Sequence, residues 1–197
     1  MANKSVDKPQ KSVKERAVKS ALSLAASLGW EFVTMSDIAE ETGVGLSDLV
    51  EIFDDKADIV TAYGKYVDRK VLENVGVASP DETARDRLFE IIMERFDVLS
   101  EHRDAVISIL SSFRTDPKEA IISLPHLARS MTWMMEAAGL DTSGFKGAAR
   151  VTGLTLLYAN VLRIWMKDDS EDQAKTMAAL DKNLDRAEQV ANTFMLS

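Results

Sequence analysis

The side chains able to do chemistry in this chain are mostly carboxylates. It holds 32 Asp and Glu against 24 Lys and Arg, with two histidines and no cysteine. Disulfides, thiolate metal sites and thiol nucleophiles are therefore excluded. His102 and His126 stand far apart in sequence, so a histidine triad or metal site is not expected. The first reads as a surface or helix-end residue, the second as a packed one. There is no HExxH, no GxSxG, no glycine loop for phosphate and no paired-glycine nucleotide fingerprint. The acids fall on helix faces at solvated spacing. No catalytic residue, cofactor or metal is expected.

What remains is charge, and it is unevenly placed. Residues 1–20 carry Lys4, Lys8, Lys11, Lys14, Arg16 and Lys19 against Asp7 and Glu15. Residues 34–56 carry Asp37, Glu40, Glu41, Asp48, Glu51, Asp54 and Asp55 against Lys56 alone. Cations neutralise phosphates and release counterions. The arm suits a nucleic acid, although a solubilising tail reads the same way. The stretch 34–56, and the net charge of −8, do not suit one.

The element that would use such an arm lies between Thr34 and Phe53. Thr34 followed by Asp37 is a helix start: a capping hydroxyl with an acid near the positive helix end. Gly43 ends that helix, because a left-handed residue costs glycine nothing. Val44 is expected as a buried hinge. A second helix follows over Gly45–Phe53, with Leu49, Ile52 and Phe53 on its apolar side. Two helices joined by a tight glycine turn make a helix-turn-helix, whose second helix commonly enters the DNA major groove.

Around it the periodicity is helical throughout. A helix from Ser12 to Leu28 carries Val13, Ala17, Ala21, Leu24 and Leu28 as its stripe. Gly29 stops it, and Trp30 and Phe32 read as core plugs, with base stacking by Trp30 as the other reading. A fourth helix starts near Asp55. Ser79-Pro80-Asp81-Glu82 is a helix start, leading to a helix ending near Ser100. Others follow over Arg103–Arg114, Pro117–Ala138 (with Pro125 inside), Phe145–Lys167 and Ala174–Met195, the last capped by Ser170-Glu171-Asp172. The expectation is an all-α chain of about nine helices. Its parts are an arm and head over 1–56, a linking helix over 57–79 and a body over 80–197. No apolar run is long enough to span a membrane and no secretory signal is visible, so a cytoplasmic protein is expected.

Ala21-Leu22-Ser23-Leu24, Leu28-Gly29-Trp30, Thr34, Asp37-Ile38-Ala39, Gly43-Val44, Leu49, Phe53, Lys56 and Ile59 keep a spacing that resembles the TetR family of bacterial transcriptional repressors. The resemblance covers the first third of the chain by motif and the remainder by helical architecture. It implies a homodimer that binds palindromic operator DNA. The DNA contacts would come from Lys11, Lys14, Thr34, Ser36, Gly45, Leu46, Ser47, Asp48 and Val50, with Lys56 as a phosphate contact. It also implies a body that holds an apolar small-molecule effector. Phe89, Met93, Phe96, Phe113, Met131, Met134, Met135 and Tyr158 supply the soft, adaptable side chains of such a pocket, although the same residues also fit a plain core. The broad apolar faces of the last two helices point to a dimer interface over Val161, Leu162, Trp165, Met177, Leu180 and Leu184.

The reading helix departs from the family pattern. Its usual tyrosine is replaced by Val50, and Asp48 and Glu51 stand where phosphates would lie. Leu156–Leu180, with Tyr158, Trp165, Asp168-Asp169-Ser170 and Thr176, resembles a TetR-like family that has lost DNA binding, the lipid-binding COQ9 accessory proteins of ubiquinone biosynthesis. That likeness implies a lipid partner in place of an operator. The chain shows no further amphipathic helix of the kind those proteins use to dock on membranes.

Overall fold

The computed structural model describes residues 7–77, 79 and 81–195, with side chains for most of residues 13–190. Among these residues there are nine α-helices and no strand. They are α1 (Asp7–Leu28), α2 (Met35–Thr42), α3 (Leu46–Val50), α4 (Lys56–Asn74), α5 (Ala84–Ser100), α6 (Arg103–Ser112), α7 (Pro117–Ala137), α8 (Gly144–Trp165) and α9 (Ala174–Met195), with a 3-10 turn at Trp30–Phe32.

The chain divides into two compact units, and the division does not fall at residue 79. One unit contains residues up to Tyr66 together with Glu101–Leu124; the other contains Val67–Ser100 and Pro125–Ser197. Glu101–Leu124, expected as part of the body, thus groups with the head, while the helix that opens the body stays in the second unit. α4 and α7 each contribute to both units, and α7 runs unbroken through Pro125.

In the first unit, α1 begins at Asp7, five residues before the expected Ser12. Pro9 falls in its first turn, where a missing N–H is not needed. Ala17, Ala21, Leu22 and Ala25 are buried, and α1 packs on α2 and α6. Alanines at four-residue spacing allow close approach. The face is rotated from the expected stripe: Leu28 is 54% exposed. Trp30 is a plug, and its backbone N–H donates to Ser108 Oγ at 2.8 Å. Phe32 is not one, being 69% exposed. His102 stands at the start of α6, edge-on to the Tyr63 ring with centroids 6.1 Å apart. His126 is half-buried.

The second unit is built on Ile91, Ile92, Phe96, Met131, Met134, Tyr158, Val161, Trp165 and Leu180, all buried. The Phe96 ring stacks on Tyr158 at 5.3 Å and on Trp165 at 6.0 Å. α5 begins at Ala84, not at Ser79-Pro80, and Pro80 lies outside the described residues. Thr83 is the effective cap: its Oγ accepts from the Asp86 N–H at 3.1 Å. At the start of α9, Ser170 Oγ accepts from the Ala174 N–H at 2.9 Å. Asp168 adds a cap that was not expected, accepting from the Thr176 N–H and hydroxyl at 2.7 Å each. Gly147 permits a close approach. A Cβ there would lie 2.0 Å from the Thr142 carbonyl carbon.

Candidate nucleic-acid interface

Local chemistry builds the two helices as the sequence indicates. Thr34 Oγ accepts from the Asp37 N–H at 3.2 Å, and the Asp37 carboxylate accepts from the Thr34 N–H at 2.8 Å. The Thr34 hydroxyl also donates to the Asp37 carboxylate at 2.7 Å, and this bond, with that from the Thr34 N–H, holds the Asp37 carboxyl below its ordinary pKa. Gly43 adopts φ 73° and ψ 37°, the left-handed cap that ends α2. Gly45 then starts α3, and its N–H donates to the Asp48 carboxylate at 3.2 Å.

α3 is shorter than expected. It spans Leu46–Val50, and the chain turns before Phe53. Leu49 and Phe53 are buried, while Ile52 and the expected hinge Val44 are half-buried. Burying a leucine and a phenylalanine stabilises by roughly 1.5–3 kcal/mol each. That anchors the inner side of α3 and fixes its outer side, on which Leu46, Ser47, Asp48 and Val50 are exposed. Thr34 and Ser36 are also exposed, at the N-terminal end of α2. The structure therefore brings seven of the ten expected DNA contacts onto one helix-turn-helix.

The other three are cations. Lys14 is exposed on α1, with Nζ 5.4 Å from the centre of the Phe53 ring. This places a positive charge beside the end of α3. The Lys11 side chain lies outside the described residues. Lys56 is half-buried, and its ammonium is partly engaged by its own chain. Its Nζ donates to the Trp30 carbonyl at 3.0 Å and lies 4.9 Å from the Trp30 ring centre.

No protein-family model matches the chain, and no curated protein matches it in sequence. Solved structures do match in fold. A TetR transcriptional regulator from Nitrosomonas europaea superposes with TM-score 0.71 at 26% identity, over 89% of this chain and 98% of its own. One from Rhodococcus sp. RHA1 gives TM-score 0.60 at 19% identity, over 89% and 96%. Another from Mesorhizobium loti gives 0.59 at 15% identity, over 92% and 97%. This is the TetR-family fold. None of these three relatives in fold is described as a lipid-binding protein.

Within that TetR fold the expected pocket side chains are divided between the two units. Phe96, Met131, Met134, Met135 and Tyr158 are buried in the second unit, and Phe89 and Met93 are half-buried. Phe113 belongs to the other unit. A small apolar void does exist in the first unit, lined by Leu22, Trp30, Ile59, Tyr63 and Ile109 among others. It has room for about one water.

The expected dimer residues divide in two. Val161, Trp165, Leu180 and Leu184 are covered by their own chain; Leu162 is half-buried and Met177 is 43% exposed. The apolar side chains that α8 and α9 leave open also include Leu156 at 63% and Val190 at 56%. No described helix is long and apolar enough to cross a membrane.

Sequence reasoning missed a buried polar node in the second unit. Arg95 pairs with Asp68, Arg95 Nε donates to the Tyr158 hydroxyl at 3.2 Å, and Ser130 Oγ donates to Asp68 at 2.7 Å. The node ties together α4, α5, α7 and α8. Burial would lower the Arg95 pKa, but Tyr158 and Asp68 outweigh it and hold the guanidinium charged. Burial raises the Tyr158 pKa, partly offset by Arg95. The signal was present in the sequence. Arg95 falls on the apolar stripe, four residues after Ile91 and four before Leu99.

Proposed function

We propose that the chain is a DNA-binding transcriptional repressor, cytoplasmic and without enzymatic activity. In this reading α3 enters the major groove of an operator. Lys14 and the other cations of α1 meet the flanking phosphates. A homodimer through α8 and α9 presents two reading heads to a palindromic site. Leu156, Leu162, Met177 and Val190, left open on those helices, are the residues that support the dimer.

The observation that carries the reading is the disposition of α3. Its Leu49 is anchored in the core, and Leu46, Ser47 and Val50 face outward from a capped helix-turn-helix. An apolar small molecule acts as the inducer. Met131, Met134 and Met135, buried in the same unit as Phe96, supply the adaptable side chains for it, and their packed state means that binding must displace them. The effect travels along α4, which is continuous from Lys56 to Asn74. It is a coupling between two sites and is reciprocal.

A footprint on the DNA upstream of its own coding sequence tests the function. A protected segment with two-fold symmetry supports it. Absence of protection at low salt, with folded protein, ends it.

A further inference from the structure

The outward face of α3 is aliphatic. Leu46 is 50% exposed and Val50 is 56% exposed. They stand four residues apart, so they share one helix face and lie about 6 Å apart along the axis. Neither is needed for the core, which Leu49 and Phe53 fill from the other side. Ser47 is exposed beside them.

The residues of α3 include no Lys, Arg, Asn or Gln. The helix therefore has no side chain for a bidentate contact to guanine or adenine. Its one acid, Asp48, already accepts from the Gly45 N–H. The major-groove feature that an aliphatic side chain recognises is the C5 methyl of thymine. Acids around the patch, Glu41 and Glu51 among them, are exposed and repel phosphate. Apolar contact with base edges must then carry more of the discrimination than charge does.

Resting on the reading of α3 as the DNA-reading helix, we propose that Leu46 and Val50 are specificity residues that select thymine. Each packs on a C5 methyl, at two positions about two base-pair steps apart in every half-site, given a spacing of roughly 3.4 Å per step.

The test uses the full chain and duplexes recovered by repeated selection from random-sequence DNA. Each thymine is replaced in turn by deoxyuridine, which removes only the methyl, and binding is read by fluorescence anisotropy. The expected loss is about fourfold per contacted methyl, the value of burying one such group. Two positions per half-site should respond. Leu46→Ala and Val50→Ala should each abolish the thymine–deoxyuridine difference at one of them. Both side chains are exposed, so the variants should fold, which circular dichroism checks. Selective binding that ignores deoxyuridine at every position would overturn the thymine assignment and leave DNA reading intact. Failure to recover any selected duplex would overturn both.

Discussion

The Lys56 ammonium caps the Trp30 carbonyl at 3.0 Å and lies over the ring of the same residue. One side chain thus joins the start of α4 to the 3-10 turn that follows α1. The bond is charge-assisted and the ring contact adds to it. Lys56→Met keeps the aliphatic stem and removes both interactions. It should cost about 1 kcal/mol, lowering the thermal midpoint by about 2–4 °C. Calorimetry checks this. A midpoint that does not move would show that the tie contributes nothing.

Two glycines should respond differently to alanine. Gly43 has a left-handed φ of 73° and open space around a would-be Cβ. Gly43→Ala therefore meets only the conformational cost, roughly 1–2 kcal/mol. At Gly147 the new methyl would collide with the Thr142 backbone. Gly147→Ala should cost more, up to about 3 kcal/mol, and should loosen the loop before α8. Urea denaturation of both variants gives the comparison.

The buried node gives a third expectation. Asp68→Ala leaves Arg95 charged and unpaired, and should destabilise by about 3–5 kcal/mol. The double variant Asp68→Leu with Arg95→Met, which removes both charges, should recover most of that loss. A double variant as unstable as the single would contradict the assignment of the cost to an unpaired cation.

Asp168 makes stability depend on pH. Burial alone would raise its pKa, but the bonds from Ser170 and Thr176 outweigh burial and hold it well below the carboxylate range. A group whose folded pKa is lowered contributes stability above its unfolded value, about 3.9 for Asp, and loses it as pH falls toward the folded value. Asp168→Asn should therefore be less stable at neutral pH, by on the order of 2 kcal/mol. The gap should narrow below about pH 4. Chemical denaturation at pH 7 and pH 3.5 tests the sign.

What the sequence disclosed was local. Thr34 with Asp37, and Gly43 with its left-handed turn, act within a few residues, so the helix-turn-helix could be read directly. Leu49 and Phe53 followed from periodicity. The rest depended on partners distant in sequence. Trp30 donates to Ser108 across 78 residues, so nothing near 101–124 revealed that this segment packs with the head. Phe32 has the composition of a core residue, and only the geometry of the turn leaves it outside. Lys56 matched a phosphate-contact position, yet its ammonium points at a carbonyl. Met131 and Phe96 fit a pocket or a core equally well by type. Both are buried in the second unit.

The measurement that tests the function most directly is fluorescence anisotropy on a selected operator and a scrambled duplex across a salt series. A DNA-reading head predicts selective binding whose logarithm falls linearly with log salt, with a slope set by the few phosphates neutralised. Lys14→Ala should reduce that slope by about one, and Lys56→Met should leave it unchanged. Equal and weak binding to both duplexes even at low salt would contradict the repressor reading.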